Sequence, residues 1–135
     1  MPFEPPPAAH AAALWAGLLV LLMLALSILT VSQRRRHKVA YGDADQPKLA
    51  AAIRAFGNAA EYIPGAVGAL AVLAIAGAEA WVVHIGGAVL MAGRIVHAVG
   101  LSFTTGVSLG RSYGMLLTWA AYLYFVVALL FHAFA

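Results

Sequence analysis

From Ala11 to Val31 the chain carries no charged side chain, and the segments 81–101 and 113–134 hold one between them, Arg94. About 20 apolar residues in a helix, rising about 1.5 Å each, cross the roughly 30 Å of a bilayer's hydrocarbon. Only structures that satisfy their backbone polar groups internally can cross it, which restricts such runs to transmembrane helices. Composition agrees, because a 135-residue chain that is 64% hydrophobic and 10% charged has too little polar surface to cover a soluble core. The fold class expected is all-α, an integral membrane four-helix bundle with up-down topology.

The spans expected are 11–31, 47–76, 81–101 and 113–134, forming a single membrane domain over 11–135. The opening MPFEPPPAAH has four prolines and no basic residue. It therefore lacks the n-region of a cleavable signal peptide, and residues 1–10 are expected as a short irregular tail. Asp43, Asp45 and Pro47 suggest the start of a second helix longer than the hydrocarbon is thick, whose first turns project into headgroups or water. Pro64 lies inside it and predicts a kink. GAEA at 77–80 is a minimal turn, so spans two and three should be antiparallel neighbours.

Five of the eight Lys and Arg residues fall in one connection, RRRHKVAYGDADQPK. In a membrane chain that clustering reports topology, with this loop cytoplasmic and both termini outside the cytoplasm, rather than a nucleic-acid partner. Contact with anionic membrane lipids is compatible with it. With no cysteine there is neither a disulfide nor a protein thiol nucleophile. The histidines lack partners at ligand spacing, so no metal site is expected. Trp81, Trp119, Tyr122 and Tyr124 read as interfacial or packing aromatics.

The polar residues inside the spans carry the functional signal. RAFGNAAEY, residues 54–62, puts Arg54, Asn58 and Glu61 within about 60° of one another on a helix, with Tyr62 beside them. GRIVHAVGL adds Arg94 and His97 near the end of span three, and Arg111, with Ser112 and Tyr113, opens span four. An ionised side chain at mid-membrane costs about 2.5–3.5 kcal/mol on insertion scales, so such groups face protein or a wet cavity. One reading is structural: an interhelical hydrogen-bond network with Arg54 snorkelling to the boundary. The other is a ligand site. Three guanidinium groups against the one carboxylate of Glu61 ask for an anion.

These motifs resemble the MAPEG family, the membrane-associated proteins in eicosanoid and glutathione metabolism. The resemblance covers roughly residues 12–134 and rests on R-A-x-x-N-x-x-E-Y with its following proline, on Gly93-Arg94-Ile-Val-His97, and on the arginine opening span four. It implies a homotrimer with sites between protomers, and glutathione as co-substrate held by Arg54, Asn58, Glu61, Tyr62, Arg94, His97 and Tyr113. It implies Arg111 as the catalytic group, stabilising the glutathione thiolate. Leu101 stands where the prostaglandin synthase branch has a tyrosine, and the chain is more similar to a bacterial inner-membrane member.

The function expected is therefore a glutathione transferase or peroxidase acting on lipophilic electrophiles. The alternative is a non-catalytic lipid-binding or scaffold protein using the same cleft. A transporter would call for paired half-helices or an acidic relay, neither of which the sequence has.

Overall fold

The computed structural model describes residues 4–103 and 108–134. They form four helices: α1 (Pro7–His37), α2 (Pro47–Ile75), α3 (Ala80–Phe103) and α4 (Leu109–Phe134). Each is long and apolar enough to cross a membrane. The chain is an integral membrane four-helix bundle.

The ends of the helices follow from local chemistry. α1 begins inside the segment expected as an irregular tail, because Pro7 occupies its first turn, where a missing N–H costs no hydrogen bond. It also runs past the expected boundary at Val31 through the whole basic cluster, whose cations sit favourably at the negative end of the helix dipole. Lys38 then turns left-handed (φ 55°), and the Val39 N–H donates back to the Arg34 carbonyl at 3.0 Å. The Arg34 guanidinium ties down the following loop by donating to the carbonyls of Ala40 (3.3 Å) and Gly42 (3.0 Å).

α2 opens with Pro47 in its first turn, but the two aspartates do not charge that turn as expected. Asp43 Oδ1 instead accepts the Asp45 N–H at 3.2 Å, closing a turn one step earlier. The helix continues unbroken through Pro64 to Ile75. There Gly77 (φ 82°) allows the N–H of Ala78 to reach the Leu73 carbonyl at 3.0 Å and its own N–H to reach Ala74 at 3.4 Å, a Schellman ending. This short turn reverses the chain into α3.

The most extensive packing is between α3 and α4, then between α1 and α2, while α2 and α3 form the middle of the bundle. Among the described residues α1 and α4 do not touch. Leu19, Leu70, Leu73, Val83, Leu90 and Phe125 form the core. The outward faces stay apolar, with Leu21, Leu24 and Ile28 on α1 and Leu123, Val126 and Val127 on α4 exposed as a lipid-facing surface should be. All eight Lys and Arg residues belong to the half containing the α1–α2 and α3–α4 connections, and the half containing the α2–α3 turn has none.

Candidate functional site

Arg94 is the largest fully buried side chain among the described residues, 2% exposed. Its Nη1 donates to Asn58 Oδ1 at 2.7 Å and lies 3.4 Å from the Asn58 carbonyl, and its Cζ sits 5.2 Å from the centre of the Tyr62 ring. A guanidinium has five donors and no acceptor. Here Nε and Nη2 are buried without a partner, and among the described residues no carboxylate pairs with the group. A buried cation whose only supports are one amide, one carbonyl and one ring face is under-compensated.

The polar stripe of α2 divides. At about 100° per residue, Asn58 and Tyr62 lie about 40° and 80° to one side of Arg54, and Glu61 about 20° to the other. Asn58 and Tyr62, both half-buried, turn toward Arg94. Arg54 and Glu61 are exposed on the outer face of the helix and make no side-chain hydrogen bond or ion pair among the described residues. The Asn58 bridge between them, conceivable from their spacing, is absent because Asn58 is engaged inward. Glu61 sits near the middle of a 29-residue helix about 43 Å long, so a carboxylate stands uncovered on a membrane-spanning helix, beyond the first turns that project into headgroups or water.

A second group forms where α3 meets the start of α4. α4 begins at Leu109, four residues before the expected Tyr113, because Ser108 caps it: Ser108 Oγ accepts the Arg111 N–H at 3.3 Å. Arg111 therefore lies in the first turn, half-buried. A carbonyl can only accept, so the 3.0 Å contact between His97 Nδ1 and the Arg111 carbonyl fixes the histidine proton on Nδ1 and leaves Nε2 as the lone pair when the ring is neutral.

This close crossing depends on Gly100 and Gly114. A Cβ on Gly100 would lie 2.6 Å from the Arg111 nitrogen, and one on Gly114 would lie 2.6 Å from His97 Cα. Beside the crossing an open groove of about 440 Å³ is lined by His97, Arg111, Ser112, Met115, Leu116 and Trp119. Tyr113 is 59% exposed and does not line it. Within one chain, then, the structure brings together Arg94, Asn58 and Tyr62, and separately His97 and Arg111. Arg54, Glu61 and Tyr113 face outward.

One residue of the site escaped the sequence reading. Tyr122 on α4, read there as a packing aromatic, donates its hydroxyl hydrogen to the Tyr62 carbonyl at 2.5 Å, and the two rings meet edge to face at 5.8 Å. It locks α4 onto the turn of α2 that supports Arg94. The only signal in the sequence is a tyrosine within an apolar span, which must find a partner for its hydroxyl.

Comparison with known proteins agrees with this architecture. The sequence pattern of the MAPEG family matches residues 12–131. The inner membrane protein YecN of Escherichia coli K12 is 43% identical over 120 residues, covering 89% of this chain and 90% of that protein. YecN of E. coli O6:H1 matches to the same extent. With four membrane-spanning helices and a match over most of its length, this chain belongs to the MAPEG family.

Proposed function

We propose that the protein binds glutathione in a cleft between neighbouring copies of the chain in a homotrimer, and uses it as a transferase or peroxidase toward lipophilic electrophiles. The observation that carries this reading is Arg94, a cation sealed at membrane depth with two nitrogens unpartnered and no carboxylate beside it. Around it the donor set suits a tripeptide with two carboxylates and a free amine. Arg54 on the outer face offers a forked N–H donor that matches a carboxylate bidentately, Glu61 offers the counter-ion for the amine, and Arg94, sealed behind them, holds Asn58 and Tyr62 and adds positive potential to the cleft. Arg54 and Glu61 are uncovered in the single chain, which favours a ligand seated where a second protomer closes over α2.

Glutathione would supply the sulfur nucleophile that displaces a leaving group or opens a peroxide bond. The rest belongs to the chain. Arg111 stands in the first turn of α4, where its own charge and the positive end of the helix dipole both favour a thiolate over a thiol. Its half-burial strengthens that effect relative to water. The groove beside it, walled by Met115, Leu116 and Trp119, opens toward the lipid-facing side and suits an electrophile arriving from the membrane. Localisation follows the same line: like YecN the protein would reside in a bacterial inner membrane, with the basic connections cytoplasmic and both termini outside.

The test separates binding from chemistry. Arg111→Ala should retain glutathione affinity within about threefold yet lose at least about a hundredfold in conjugation of a halonitrobenzene, an effect in the range of removing one electrostatic stabiliser. Direct thiol titration should show bound glutathione ionising at lower pH than free glutathione in the wild type only. Ordinary ionisation of the bound thiol would instead identify a non-catalytic binding protein.

A further inference from the structure

The half of the bundle without lysine or arginine carries a second groove, of about 440 Å³, between the start of α3 and the end of α4. Its polar end is built from Glu79, Trp81, Tyr124 and His132, and its wall continues along Val127 and Phe131. The Glu79 carboxylate accepts the Trp81 indole N–H, which aligns charge and ring at the mouth. Tyr124 spends its hydroxyl hydrogen on the Val82 carbonyl at 2.9 Å. His132 Nδ1 lies 2.8 Å from the Ala128 carbonyl and must be the donor there, so a neutral ring presents only the Nε2 lone pair.

The groove therefore offers acceptors and a negative charge and is lined by no lysine or arginine. Trp81 (58% exposed) and Phe131 (67% exposed), whose ring meets His132 nearly at right angles, add exposed aromatic surface, which attracts ammonium groups. Below them the wall is aliphatic and lipid-facing. An occupant must be an amphiphile with a donor-rich cation at one end. An anionic headgroup would find no lysine or arginine at this end. A quaternary ammonium would satisfy the rings but bring no N–H for the acceptors, whereas a primary ammonium brings three.

We propose that this groove is a lipid site for phosphatidylethanolamine, with Glu79 as counter-ion to the headgroup ammonium, Trp81 and Phe131 flanking it, and Val127 against the adjoining acyl chain. The site is independent of glutathione, which would bind in the opposite half.

The experiment is native mass spectrometry of the full-length protein in detergent, titrated with phosphatidylethanolamine, phosphatidylcholine and phosphatidylglycerol of identical acyl chains. Phosphatidylethanolamine should bind about tenfold more tightly than the choline lipid, the scale of one charge-assisted contact. Glu79→Gln keeps an acceptor for Trp81 and removes the charge. It should bring the two affinities within about twofold, with helicity and glutathione binding unchanged. Val127→Trp, at an exposed position on the wall, should weaken both zwitterionic lipids together. Equal binding of the two in the wild type, preference for phosphatidylglycerol, or an intact preference in Glu79→Gln would each overturn the proposal. Undiminished binding in Val127→Trp would overturn the placement of the chain.

Discussion

Arg94 distinguishes a structural from a ligand-binding reading of the polar residues. A buried ion pair loses roughly 3–5 kcal/mol when one partner is removed, because the other charge is stranded. Arg94 has no such partner, only the Asn58 amide and carbonyl and the Tyr62 ring, and two of its nitrogens are unsatisfied. Arg94→Met should therefore change thermal stability by no more than about 1 kcal/mol, since relief from desolvation offsets the lost hydrogen bond. The same variant should lose at least about tenfold in glutathione affinity. A loss of several kcal/mol in ligand-free protein would make Arg94 a structural residue. The sequence identified Arg94 as out of place in an apolar span and grouped it with Arg54 and Arg111 at one membrane depth. Its inward orientation was not legible because α3 is apolar on nearly every side, so no hydrophobic stripe fixes the rotation of the helix.

At the scale of elements, the positions of the helices were readable from hydrophobic run length, and their ends were not. α1 gains turns at both ends because proline is harmless in the first turn and arginines are favourable in the last, neither of which hydropathy registers. α4 starts early because Ser108 caps it, a cue carried by one side chain. That shift places Arg111 inside the first helical turn. The α3–α4 crossing then depends on glycine, and its G-x-x-x-G step, Gly110 to Gly114, was missed because Gly110 falls outside a span expected to begin at Tyr113; the early start of α4 brings both glycines onto one helix, facing Gly100 and His97. Gly114→Ala would force a methyl against His97 and should destabilise the protein by about 1–3 kcal/mol. Turnover should fall more steeply than glutathione binding, because His97 and Arg111 separate while Arg94 and Asn58 remain. Thermal unfolding and paired binding and conjugation assays check this, and an unaltered midpoint would show that the two helices part freely.

For the whole molecule, a single chain leaves Arg54 and Glu61 uncovered at membrane depth. Lipid cannot compensate them, so another copy with its ligand should. Oligomeric state was legible only through resemblance, since no property of an isolated α2 stripe distinguishes a lipid-facing defect from a subunit interface. The solubilised protein should behave as a trimer by native mass spectrometry, and a monomer at micromolar concentration would oppose the inter-protomer cleft. Its charged anchoring should also weaken modestly with salt, because the pairs lie away from bulk water. The most direct measurement is a calorimetric titration of glutathione into the purified protein, comparing wild type with Arg54→Ala and Glu61→Ala. Saturable binding in the wild type and a loss of at least about tenfold in each variant, some 1.4 kcal/mol or more, is the predicted result. Undiminished affinity in both variants, or no binding by the wild type, would contradict it.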